Sequence, residues 1–149
     1  MLRNQGNLEQ AIAFFQRALQ NSNHTTACVI AANLAEVLGD TGQKIEAIKV
    51  LNEVLKHFPD FTEGWNNLGT LYLGLDRFDE ATAAYKKCRA LSPDNMIVAN
   101  NLAAAFLKSG HPEKSLALYQ KNLTTWPDQA DTLSGLGNVL VSLESFDDA

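Results

Sequence analysis

A period of 34 residues constrains this chain more than any other feature it carries. Pro59, Pro93 and Pro127 stand 34 apart, each followed by an aspartate: Asp60, Asp94 and Asp128. The pairs Asn33-Leu34, Asn67-Leu68 and Asn101-Leu102 keep the same spacing and precede Ala35, Gly69 and Ala103. A third series, Ala11, Ala47, Ala81, Ser115 and Ala149, is spaced 36, 34, 34 and 34. Two extra residues in the loop Asn21 to Thr26 account for the longer step, and a surface insertion costs little loop-closure entropy. Units repeated at this length bury their apolar faces against one another, so stability is a sum of local and nearest-neighbour contributions.

Inside one period, Trp65, Leu68, Leu71, Tyr72 and Leu75 recur at the three- and four-residue spacing of an amphipathic helix, and Phe78, Ala81, Tyr85, Cys88 and Leu91 repeat the pattern. Each unit is therefore read as two helices. Gly42, Asp76-Arg77 and Gly110-His111-Pro112 part the first helix from the second, with Pro112 suited to a first helical turn. The Pro-Asp pairs end the second helix, since proline lacks the N–H of the ladder, and each aspartate is expected to cap the helix that follows. Short loops make the pairs antiparallel.

Trp65-x-x-Leu68-Gly69-x-x-Tyr72, Ala81-x-x-x-Tyr85 and Pro93 together resemble the tetratricopeptide repeat. Ala99, Leu102, Ala103, Phe106, Ser115, Tyr119 and Pro127 form a looser copy, and Ala31, Leu34, Ala35, Leu38, Ala47, Leu51 and Pro59 another. The resemblance implies an all-α fold, an α-α superhelix of antiparallel helix pairs. Its units are a partial repeat over 1–26, mainly a second helix from about Asn7 to Gln20, complete repeats over 28–61, 62–95 and 96–129, and a truncated repeat over 130–149 that stops one turn into its second helix. Gly69, Ala103 and Gly137, with the Ala47, Ala81 and Ser115 series, let helix axes approach closely. No polar cap closes either end. Leu140, Val141, Leu143 and Phe146 are expected to face a missing helix, which fits a fragment of a longer protein or self-association through the uncapped ends.

Composition narrows the function. With 46% apolar residues, 19% charged and a net charge of −5, the 149-residue chain buries a core. Its scattered lysines and arginines form no basic stripe, which argues against nucleic acid as a partner. No apolar run reaches the roughly eighteen residues of a membrane span, and Met1 to Gln10 has no basic start and apolar middle, so the cytoplasm is the expected compartment. Cys28 and Cys88 lie 60 apart without a C-x-x-C pair and read as buried thiols. His24, His57 and His111 fall in inter-helix segments with no second ligand at metal spacing. Asp79-Glu80 and Asp147-Asp148 open second helices, where the helix dipole favours carboxylates. With no phosphate loop or nucleophile motif, neither catalysis nor a cofactor is expected.

The expected site is a ladder. Asn33, Asn67 and Asn101 recur on first helices, which the resemblance places on the concave side of the superhelix. Asn66 and Asn100 lie beside them, Glu36, Thr70 and Asn138 one turn onward, and Leu107 adds an apolar contact together with Leu73, Ile97 and Val141. An asparagine amide offers a donor and an acceptor, so it can grip a peptide backbone without reading side chains. The arrangement is similar to the asparagine ladder in the tetratricopeptide arm of O-linked N-acetylglucosamine transferase, which implies an extended protein segment as the partner. Gly135 interrupts the series. The alternative is that asparagine before Leu-Gly merely supports a neighbouring turn. A carboxylate clamp for acidic C-termini needs cations on these helices, whereas the complete units' first helices carry only Glu36, Asp40, Glu63 and Lys108. Two functions fit: a non-catalytic scaffold binding an extended peptide, or the substrate-presenting arm of a larger glycosyl-, sulfo- or methyltransferase. Assembly of a secretion or pilus apparatus, which bacterial relatives of this repeat serve, is a third that no residue selects.

Overall fold

A computed structural model describes the backbone of residues 2–21 and 24–147 and the side chains of 7–21 and 24–144. The described residues form eight α-helices and no strand: α1 (Leu2–Gln20), α2 (His24–Asp40), α3 (Lys44–His57), α4 (Thr62–Leu73), α5 (Phe78–Leu91), α6 (Met96–Lys108), α7 (Pro112–Thr125) and α8 (Ala130–Asp147). They fall into two compact units, Met1–Leu71 and Tyr72–Ala149.

The same backbone device closes all three complete first helices. Gly42 has φ 79°, Asp76 φ 56° and Gly110 φ 76°, so a left-handed residue recurs every 34 positions. After α2, Gln43 N–H donates to Leu38 O (2.7 Å) and Gly42 N–H to Gly39 O (3.1 Å). Arg77 to Tyr72 O (3.0 Å) with Asp76 to Leu73 O (3.2 Å), and His111 to Phe106 O (2.9 Å) with Gly110 to Leu107 O (3.1 Å), repeat that Schellman pair. The turn satisfies helix-end carbonyls and starts the second helix within three residues. The corresponding positions in the outermost helices are Gly6 and Glu144, and there α1 and α8 run straight through. The breaks expected near Asn7 and before Phe146 are absent from α1 and α8. A left-handed turn at Glu144 would meet the steric cost of a residue other than glycine.

In the first unit α2 packs between α1 and α3. Ala27, Ala31, Ala35 and Leu38 of α2 are buried with Ala47, Leu51 and Val54 of α3, and Phe15 and Ala18 of α1 are buried as well. Trp65 Nε1–H donates to Pro59 O (2.8 Å), fastening the start of α4 to its loop. Gly64 is obligatory there, since a Cβ would collide with the Phe61 ring.

In the second unit α5 packs on α6, α6 on α7, and α7 on α8. Ala81, Tyr85, Leu102 and Ala105 form one core cluster, bounded by Tyr72, Leu73, Phe106 and Leu118. Ala103, Tyr119 and Val139 form another, with Leu107, Leu136 and Leu143 against it. Leu143 therefore packs inward, contrary to expectation, while Leu140 and Val141 are 47% and 65% exposed. The close approach on α8 is at Gly135, where a Cβ would strike the Tyr119 ring; Gly137, expected at a crossing, has open space around it. Of the aspartates expected as caps, Asp94 yields that role to its neighbour: Asn95 Oδ1 accepts from Val98 N–H (3.2 Å) at the start of α6. Expectations for the side chains of Phe146, Asp147, Asp148 and Ala149 lie outside the described residues.

Candidate functional site

In the first unit α2 and α4 run side by side in the same direction. His24, which opens α2, holds its Nε2 3.4 Å from Asp60 Oδ1, two residues before α4 begins. At the other end Gly39 faces Leu71, whose Cδ2 would lie 3.3 Å from a Cβ there. Asn33, Glu36, Val37 and Asp40 follow one another at helical spacing along α2, and all four are exposed. Val29, one turn before Asn33, is 54% exposed and Val37 is 53% exposed. Asn33 thus sits between two apolar side chains that the ladder reading overlooked; the signal was present in their four-residue offsets from Asn33. On α4, Glu63 and Thr70 are exposed and Asn66 and Asn67 half-buried. Thr70 Oγ1–H donates to Asn66 O (3.1 Å), a local bond within the helix.

The electrostatics of this face are negative. Cys28 is buried on α2, and its thiol is pushed above the ordinary range first by burial, then by Asp60 and Glu63. Neither α2 nor α4 contains a lysine or arginine. His24 and His57 both lie against the Phe58 ring, with centroids 4.5 and 6.2 Å away.

In the second unit Asn100 is committed inward. Its Nδ2–H donates to Thr132 Oγ1 (2.8 Å), while its Oδ1 accepts from Asn122 Nδ2–H (2.9 Å) and lies 3.1 Å from the Thr132 hydroxyl. Its carbonyl also accepts from Tyr119 O–H (3.4 Å). Asn122 and Thr132 are buried, so this network joins α6, α7 and α8 and leaves the Asn100 amide engaged. That departs from the ladder expectation: Asn100 faces the next first helix, where burial demands that its polar atoms be satisfied internally. The sequence signal was the pair of polar residues, Asn122 and Thr132, in columns occupied elsewhere by Val54 and Cys88 and by Ile30, Gly64 and Val98. Asn101 is half-buried and Asn138 exposed. Leu107 lies half-buried against the Ala103, Tyr119 and Val139 cluster.

Outside these faces, Glu80 accepts from Arg77 Nη2 (2.6 Å) and Nε (2.9 Å), bonds that hold its carboxyl below the ordinary range. The Arg77 guanidinium lies 4.7 Å from the Tyr72 ring centroid. These contacts give the Glu80 carboxylate a structural role at the start of α5.

Two family profiles, both described as tetratricopeptide repeat, match residues 62–95 and 2–70. The chain is 27% identical over 117 residues to the Protein O-mannosyl-transferase Tmtc3 of Drosophila melanogaster, covering 78% of this chain and 12% of that protein. Across the curated relatives it matches, the chain spans between 12% and 28% of their length. Among solved structures, the first tetratricopeptide domain of Spaghetti (RPAP3), bound to an HSP90 peptide, superposes with TM-score 0.72 at 17% identity, over 78% of this chain and 93% of that one. An O-GlcNAc transferase of Thermobaculum terrenum superposes with TM-score 0.70 at 22% identity, over 78% of this chain and 22% of that one. At these identities the superpositions establish a common fold.

Proposed function

The chain belongs to the tetratricopeptide repeat family, and from that premise we propose that it is a protein-interaction module whose paired first helices bind an extended peptide segment of a partner, with no chemistry of its own. One observation carries the reading: on α2 and α4 two parallel first helices present Val29, Asn33, Glu36, Val37, Glu63 and Thr70 on exposed positions, with Asn67 half-buried beside them. The HSP90 peptide on the Spaghetti domain supports the ligand class, a protein segment held by this fold. Asn101, Asn138 and the exposed Ile97 and Val141 supply the corresponding groups on α6 and α8.

Magnitudes assign the parts. Within the first unit, amide contacts from Asn33 and Asn67 contribute roughly 0.5–1.5 kcal/mol net each. Association costs about 4–15 kcal/mol, so these amides set register while Val29 and Val37 supply affinity. Micromolar binding follows on this scale. Screening an array of extended peptides and repeating it with Asn33→Ala and Asn67→Ala tests the reading. Each substitution should weaken captured peptides about fivefold; unchanged affinity removes the amides from the account.

A second reading draws on the named relatives. Because the chain spans 12% of an O-mannosyl-transferase relative, it also fits the arm of a larger enzyme that presents protein substrate to a catalytic domain. The cytoplasm remains the proposed setting, with Cys28 and Cys88 as buried free thiols. Among the described residues no helix is long and apolar enough to cross a membrane.

A further inference from the structure

Resting on the peptide-binding reading above, we propose that the α2–α4 face of the first unit selects cationic extended peptides, segments in which lysine or arginine alternates with apolar side chains. Charge complementarity picks this occupant. Glu36 and Asp40 lie along the same exposed stripe of α2 as Asn33 and Val37, and Glu63 opens the neighbouring helix on the same exposed run as Thr70. Asp60 stands just before α4, beside His24. Against these four carboxylates the two helices offer no lysine or arginine. The field reaches into the protein, since Asp60 and Glu63 both act on the buried Cys28 thiol. An acidic peptide laid here would bring like charges together with no counter-charge on either helix, which raises the cost of a wrong partner.

The apolar half of the specificity comes from Val29 and Val37. They flank Asn33 at one turn on either side and are more than half exposed. Their spacing along α2 is about 12 Å, eight residues at 1.5 Å each. An extended strand advances about 6.6 Å per two residues, so side chains four apart meet both valines. Of the three residues between them, the middle one shares their face and meets the carboxylates while its two neighbours point away, so apolar and basic side chains alternate at every second position. The second unit's bias is weaker: α6 carries Lys108 and no carboxylate, and α8 exposes Leu133, Leu140 and Val141 alongside Asp131 and Glu144. Charge selection is therefore strongest on the first unit.

Three fluorescein-labelled nine-residue peptides of one valine-threonine framework test the idea, with lysine, glutamine or glutamate at the same three positions. The intact chain should bind the lysine peptide roughly tenfold tighter than the glutamate peptide, with glutamine between, and 0.5 M salt should collapse the difference. The triple variant Glu36→Gln, Asp40→Asn, Glu63→Gln should bring the lysine-to-glutamate ratio toward one. Equal affinities for all three peptides, or a ratio unmoved in the triple variant, overturns the charge inference while leaving peptide binding standing. If none of the three binds, and an array of varied extended peptides also yields nothing, the peptide-binding reading itself falls.

Discussion

Gly42 and Thr82 show how single atoms decide stability in this chain. Gly42 holds φ 79° with nothing within 4 Å of where a Cβ would stand, so Gly42→Ala tests backbone conformation alone. A left-handed alanine should lower unfolding free energy by about 1 kcal/mol, read by urea denaturation, with the slope against urea unchanged. Thr82 carries the opposite sign. Its Oγ1 is buried without a hydrogen-bond partner among the described residues, and such a hydroxyl costs about 1–3 kcal/mol of desolvation. Valine has the same shape without the hydroxyl, so Thr82→Val should raise the urea midpoint by the equivalent of roughly 1 kcal/mol; a lower midpoint would show that the hydroxyl is satisfied in solution. Glycine at 42 and 110 was readable as a turn because a left-handed residue is a local, backbone-level requirement. The close approach at Gly135 was not, since it depends on where the Tyr119 ring arrives from another helix.

Helices in this fold communicate through the residues at their crossings, and that is where substitutions distinguish a core position from a surface neighbour. Ala81 is fully buried beside Tyr85, Leu102 and Ala105, whereas Glu80 is half-exposed and pairs with Arg77. Ala81→Leu should overpack the crossing by about 1–3 kcal/mol and lower Tm well below that of Glu80→Leu, as calorimetry would measure; the reverse order would contradict the register of α5 on α6. The Asn100, Asn122 and Thr132 network gives a second element-scale test. Asn100→Ala and Asn122→Ala should each cost about 1–3 kcal/mol, and the double variant less than their sum by roughly 0.5–3 kcal/mol, because the second removal finds its partner already gone. The period and the turns at Gly42, Asp76 and Gly110 were legible because each rests on chemistry repeated along the chain, the left-handed turn and the proline stop, whereas the uninterrupted α1 and α8 were not. The inward role of Asn100 was illegible from its own column, where Asn66 is also asparagine, and could be inferred only from Asn122 and Thr132 in columns that are otherwise apolar. The exposure of Val29 and Val37 was illegible for a related reason, since an apolar side chain on a helix is buried or left open by the elements packed around it.

At the scale of the whole chain, pH should act asymmetrically, with buried groups in both units, Cys28 and Tyr119 among them, contributing to the alkaline side. Tyr119 in the second unit is held above its ordinary range by burial, and Cys28 in the first by burial and then by Asp60 and Glu63. For both, the folded state keeps its proton after the unfolded chain has released it. Their stabilising contribution is therefore fully present below the unfolded values, about 8.5 for cysteine and about 10 for tyrosine, and is lost as pH rises through the higher folded values. On the acid side Glu53, held down by Lys56, and Glu80, held down by Arg77, contribute stability above the ordinary carboxylate range that is lost as pH falls through their lowered values. Both carboxylates are largely solvated, so that limb should be shallow and further flattened by salt. A Tm profile from about pH 4 to about pH 10.5 should fall more steeply at its alkaline end. Cys28→Ala should flatten the part of the fall that begins near pH 8.5, and Tyr119→Phe the part near pH 10, each independently because the two groups lie in different compact units. Profiles that stay parallel to the parent chain in both variants would place the alkaline loss in groups other than these two.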